Sequence, residues 1–214
     1  PESAIEVYER VLGIDAEDAG ALDKLIQLHL RLRQWEKLLA VYGRKADVVA
    51  DPDEKKQLYL EVGSVYERQL GQLDKAIETY QRVLDLDPDD MAALAQLDAL
   101  YQTTGRSEDL LAVLEREAEL CSDPMRALDY RYRIGELYEQ KLNDPFRAVE
   151  VYRDILDVTP DHAAALAALE SAARGRAAHC AVDGAGNHRL LDGPAQRDAE
   201  HGDRLAPRRR QHDL

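Results

Sequence analysis

Residues 76–88, AIETYQRVLDLDP, recur twice at a fixed distance. Seventy-two residues upstream stands AIEVYERVLGIDA, and 72 residues downstream stands AVEVYRDILDVTP. Repetition at a constant period constrains a fold more than any single motif does. It means that one small unit, unable to bury its apolar face alone, is stacked on copies of itself. Equivalent positions within the repeats advance from Ala4 to Leu38, Ala76, Leu110 and Ala148, in steps of 34 and 38. The 72-residue period is therefore a pair of unequal units.

Within each unit the apolar residues have helical spacing. Ala4, Ile5, Tyr8, Val11 and Leu12 follow i, i+1, i+4, i+7, i+8, and Leu58, Val62, Val65, Tyr66 and Leu70 form another such stripe. The same pattern predicts helices over 4–12, 21–32, 35–49, 55–70, 73–86, 91–104, 108–120, 125–142, 145–158 and 163–173. Asp51-Pro52 and Asp123-Pro124, again 72 apart, read as helix starts, with a capping carboxylate before a proline at the first helical position. Each stretch is too short to be a stable helix alone, so order has to come from stacking. The expected fold is all-α, a right-handed α-solenoid of antiparallel helix pairs. A half repeat, four pairs and a further half repeat span 1–173.

The 62–88 stretch resembles the tetratricopeptide repeat (TPR) family, whose pattern is W-x2-L-G-x2-Y-x8-A-x3-F-x2-A-x4-P. Val62, Gly63 and Tyr66 match its L, G and Y, with Tyr59 in the tryptophan slot; Ala76, Tyr80, Val83 and Pro88 match A, F, A and P. Ile134, Gly135, Tyr138, Ala148, Tyr152, Ile155 and Pro160 repeat the match. Nine residues rather than eight separate Tyr66 from Ala76 and Tyr138 from Ala148. The intervening units are looser. Leu97, Tyr101, Leu110 and Leu114 hold the slots in one, and Leu25, His29, Leu38 and Tyr42 in the other.

The resemblance implies a protein-interaction scaffold. In this family the first helices of successive pairs line a concave face that receives an extended peptide or a partner helix. The lining positions carry over to Asp23, Gln27 and Arg31 in the second pair, and to Leu60, Ser64, Glu67 and Arg68 in the third. The fourth contributes Ala95, Ala99 and Gln102, and the fifth Tyr132, Glu136, Glu139 and Gln140. The alternative for each is an ordinary solvated helix face. This lining is mixed to acidic, which fits a basic or apolar protein segment better than a carboxylate clamp built from Lys, Asn and Arg. A second reading is a structural or oligomerising segment of a longer repeat protein, without a peptide ligand, self-associating through apolar surface at open array ends.

Charge agrees with a protein partner. Residues 1–173 carry a net −16 and residues 174–214 a net +2. An acidic body argues against nucleic acid, whose binding depends on Lys and Arg at phosphates. No apolar run reaches the roughly 20 residues of a membrane span, and no charged-then-apolar leader opens the sequence. The compartment stays open, with the cytoplasm as default expectation. Cys121 and Cys180 fit neither a disulfide framework nor a metal motif.

No P-loop, G-x-G-x-x-G, G-x-S-x-G or H-E-x-x-H occurs, so neither an enzyme nor a cofactor is expected. Asp89-Asp90 and Asp51/Asp53 read as turn and capping acids, and His29 and Trp35 as packing residues. Beyond 173 the pattern stops. The next helix slots fall on Val182, Asp183 and Gly186, and no Lys, Tyr, Phe, Ile, Ser or Thr occurs in 174–214. Three readings of this tail stay open: a disordered tail, a non-native or out-of-frame stretch, and a basic element around Arg208-Arg209-Arg210. His179, His188, His201 and His212 lack metal-ligand spacing.

Overall fold

A computed structural model describes residues 2–188 of the 214-residue chain. The described residues form ten α-helices and no strand: α1 (Glu2–Ile14), α2 (Ala19–Arg31), α3 (Trp35–Val48), α4 (Pro52–Arg68), α5 (Leu73–Leu86), α6 (Met91–Thr104), α7 (Ser107–Leu120), α8 (Pro124–Gln140), α9 (Pro145–Val158) and α10 (Ala163–His188). From α1 to α9 each helix packs on its neighbour in the chain. The architecture is a helical-repeat solenoid. The chain divides into two units, Pro1–Gly175 and Arg176–Leu214; all packing described below lies in the first.

Helix length explains the unequal steps. Helices α4 and α8 have 17 residues each, whereas α2 has 13 and α6 has 14. The pairs containing the long helices span the 38-residue steps. The turn inside each of the four pairs contains one residue with positive φ: Arg33 (53°), Gly71 (64°), Gly105 (71°) and Asn143 (52°). Turning the chain back this tightly requires a left-handed residue, which glycine supplies without steric cost. Arg33 and Asn143 adopt it despite a Cβ.

The helix starts are as read from the sequence. Asp51 accepts a hydrogen bond from the Asp53 amide (3.1 Å) and Asp123 one from Met125 (3.0 Å), with Pro52 and Pro124 opening α4 and α8. Asp90 caps α6 through the amides of Ala92 (3.1 Å) and Ala93 (3.0 Å). Its neighbour Asp89 does something else: it pairs with Arg116 of α7 (Nε 3.0 Å).

The glycine and aromatic positions of the repeat meet in space. Tyr80 and Tyr152 are 1% and 0% exposed, and their rings lie close against Gly63 and Gly135. A Cβ on Gly63 would come within 2.5 Å of the Tyr80 ring, and one on Gly135 would clash with Tyr152 in the same way. The glycines thus let α4 and α8 sit directly on their partner tyrosines. Ala76 and Ala148, both at 0%, complete the contact. Buried residues form three clusters in chain order, the first from α1 to α3, the second in α3 and α4, the third from α5 to α10.

The C-terminal helix departs from expectation. Helix α10 does not stop at Ala173 but continues to His188. Its run AAALAALESAARGRAAHCAV is rich in alanine, the residue with the highest helix propensity, and this carries the helix through glycines that cost about 1 kcal/mol each. Residues 189–214, including Arg208-Arg209-Arg210, His201 and His212, lie outside the described residues, as do the side chains of His179, Cys180 and His188.

Candidate functional site

The fourteen positions expected to line a binding face fall on α2, α4, α6 and α8, the first helix of each pair. Asp23, Gln27, Arg31, Arg68, Ala95, Ala99, Gln102 and Gln140 are exposed; Leu60, Ser64, Glu67, Tyr132, Glu136 and Glu139 are half-buried. None is fully buried. Several are already engaged within the chain. Asp23 forms an ion pair with Lys45 of α3 (2.8 Å), which also reaches Glu54 (2.9 Å). Glu67 accepts from the Tyr80 hydroxyl (3.2 Å), Glu139 from Tyr152 (3.3 Å) and Ser171 (2.6 Å), and Gln102 donates to Asp98 (2.7 Å). Glu67 and Glu139 therefore anchor the buried tyrosines as well as facing outward. Tyr132 stacks on His162 with ring centres 6.0 Å apart.

Two grooves on this side are equivalent under the 72-residue period. One lies between α2 and α4, encloses about 520 Å³ and brings Leu60 and Ser64 together with Ile26, Leu30, Trp35 and Glu61. The other lies between α6 and α8, encloses about 200 Å³ and joins Gln102, Glu136 and Gln140 with Arg133 and Lys141. The first is apolar: Leu30 is 49% exposed, and Ile26, Trp35 and Leu60 are partly so. In the second, Leu30 is replaced by Gln102, Trp35 by Ser107, Ile26 by Asp98 and Glu61 by Arg133. Arg133 holds Asp98 in a two-pronged ion pair (2.6 and 2.9 Å) that lies across the α6–α8 junction.

Below that pair is a residue the sequence reading passed over. Glu117 of α7 is 1% exposed, and among the described residues its Oε2 has no hydrogen-bond partner. Burial first, then the Asp98 charge, lifts its carboxyl from the ordinary 4.5 to about 7, while Arg133 and the Tyr130 hydroxyl pull the other way. Its slot is filled by Val83 and Ile155 in the pairs with long helices, and by Lys45 in the remaining pair. The signal was present as a charged residue at a position that is apolar in two of four copies.

The opposite side offers less. Grooves of about 220 Å³ at α3–α5 and about 330 Å³ at α7–α9 are also 72 residues apart. Each is covered by the chain's own cation over a tyrosine ring, Lys75 on Tyr66 (5.5 Å) and Arg147 on Tyr138 (5.6 Å). His29 is a packing residue, 2% exposed, its Nδ1 2.8 Å from Gln34 Oε1. Among the described residues no three His, Cys, Asp or Glu side chains come together as a metal site would require, and no helix is long and apolar enough to cross a membrane.

Comparison with family models agrees with the repeat pattern. Residues 63–105 match the family model described as TPR repeat, and residues 129–162 match the one described as tetratricopeptide repeat. Among curated proteins no sequence matches. Similar solved structures include YrrB, described as a TPR protein with an unusual peptide-binding site (21% identity, 79% of this chain and 83% of that one, TM-score 0.47). MamA is another (17% identity, 83% and 85%, TM-score 0.46), as is a tetratricopeptide repeat protein from Parabacteroides merdae (18% identity, 73% and 59%, TM-score 0.48). The matched stretches cover both the Gly63–Tyr80 and the Gly135–Tyr152 contacts, so the chain carries tetratricopeptide repeats.

Proposed function

We propose that residues 1–173 are a protein-interaction module that receives a peptide or partner helix on the concave face formed by α2, α4, α6 and α8. Tetratricopeptide repeats generally mediate protein–protein interaction and are not typically catalytic, and the acidic body favours a basic or apolar partner segment. The observation that carries the reading is the open apolar groove between α2 and α4, in which Leu60 and Ser64 meet the exposed Leu30. Soluble proteins seldom leave such surface open without a use for it. The test is cross-linking in a lysate of the source organism with two altered full-length baits. Ser64→Arg with Ala99→Arg changes the concave face, and Glu78→Arg with Arg82→Glu changes the opposite one. Partners lost only with the first bait support the reading; partners lost only with the second contradict it.

A second reading, self-association, has its own observation. Ile14, Leu86 and Val158 end α1, α5 and α9 at 72-residue spacing and are 92%, 41% and 63% exposed. Light scattering on the full chain distinguishes a dimer, which this reading requires, from a monomer.

A further inference from the structure

Every position that makes the α2–α4 groove open is changed in the α6–α8 groove. There Arg133 and Asp98 bridge the two helices, and the space falls from about 520 to about 200 Å³. In the first groove the bridging pair is replaced by Ile26 and Glu61. Ile26 offers no charge. Glu61 is exposed, and among the described residues its one hydrogen bond is from the Tyr42 hydroxyl (2.7 Å) and no ion pair reaches it, whereas Asp23 and Glu54 are both neutralised by Lys45. The groove thus combines an apolar floor of Ile26, Leu30, Trp35 and Leu60 with a carboxylate that lacks a cation. In the second copy a cation occupies that wall, and it is supplied by Arg133.

We infer that the α2–α4 groove is the anchoring subsite of the array, and that its occupant is a partner peptide presenting a bulky apolar side chain next to a Lys or Arg. The apolar side chain enters between Leu30, Trp35 and Leu60, and the cation meets Glu61, as Arg133 meets Asp98 in the closed copy. The α6–α8 groove takes no anchor because the chain's own ion pair fills it. This inference rests on the concave-face reading, and it narrows that face to one groove and one partner chemistry.

The probe is a displayed library of random dodecapeptides, selected on the full chain. Trp35 is the only tryptophan, so its emission reports entry into the groove. Selected peptides are expected to carry a Leu, Ile, Phe or Trp adjacent to Lys or Arg and to shift Trp35 emission. The variant Ile26→Asp with Glu61→Arg builds the second copy's bridge into the first groove and should weaken binding at least tenfold. Leu30→Glu, at a half-exposed site, should do the same and serves if the double variant does not fold, as judged by circular dichroism. Glu136→Lys, in the second groove, reads whether that groove takes the peptide instead. Peptides that lose affinity with Glu136→Lys and not with Leu30→Glu would overturn the subsite and leave the concave face standing. Selected peptides indifferent to all three variants, or no selection at all, would overturn both.

Discussion

The two 72-residue copies, α2–α5 and α6–α9, share a scaffold and differ in where they put charge. Both have a 17-residue helix on a buried tyrosine, a glycine beneath the ring and a glutamate on the hydroxyl. In the first copy the charged residue at the α3 core slot, Lys45, reaches outward to Asp23 and Glu54. The equivalent residue of the second, Glu117, stays inside beneath Asp98 and Arg133. A repeat thus keeps its backbone by conserving the contact between helices, and changes its surface by exchanging residues between the pairs.

The largest expected effect breaks the comparison at its charged pair. Arg133→Ala leaves Asp98 and Glu117 as partly to fully buried acids without a cation, and should destabilise the array by about 3 kcal/mol. Glu61→Ala, at the equivalent position of the first copy, should cost less than about 1 kcal/mol because Glu61 is exposed. Urea unfolding of both variants reads the difference, and equal costs would mean that the two junctions are not distinct.

The shared scaffold should respond alike in both copies. Gly63→Ala and Gly135→Ala each drive a methyl group into a buried tyrosine ring, and each should cost about 2–3 kcal/mol. Thermal melts of the two variants should shift together; a large shift in one alone would show that the tyrosine contacts are not equivalent.

Glu117 makes the second copy sensitive to pH. Its folded carboxyl titrates near 7, above the unfolded value near 4.5, so between those values the folded protein holds a proton that the unfolded chain has released. Stability should therefore fall as pH rises through that window, by on the order of 2 kcal/mol, and level off above it. Glu117→Gln should remove this slope and be the more stable form at pH 8. A wild-type stability flat between pH 5 and 8 would contradict the assignment.

The smallest effect is local to one turn. Arg33 holds a left-handed φ of 53° where Gly105, at the equivalent turn of the second copy, has 71°. Arg33→Gly relieves strain of about 1–2 kcal/mol and loosens the unfolded chain by somewhat less. A net gain of about 0.5 kcal/mol in chemical denaturation is expected.

Much of the scaffold was legible because it is encoded in residues repeated in phase. Gly63, Tyr80, Ala76 and their counterparts 72 residues later announced both the helices and their pairing. The groove was harder to read. Trp35 reads as a packing residue and Leu30 as one more leucine of α2, and only the folded arrangement brings the two, partly exposed, to one groove. Glu61 and Arg133 look like ordinary surface charges until the opposite residues, Ile26 and Asp98, are known to face them across two helices. Glu117 read as one acid among many in an acidic helix, since burial of a charge depends on neighbours distant in sequence. The extension of α10 past Ala173 is not legible from an apolar stripe, because alanine propensity sustains a helix without one.

In the proposed reading the first copy's groove is open for a partner and the second copy's is closed by its own ion pair. Hydrogen–deuterium exchange on the full chain, alone and saturated with a selected dodecapeptide, tests it most directly, because binding slows the opening of the helices it bridges. Slower exchange in α2 and α4, with α6 and α8 unchanged, is the predicted result. Slower exchange in α6 and α8, or on α3 and α5 alone, would contradict it.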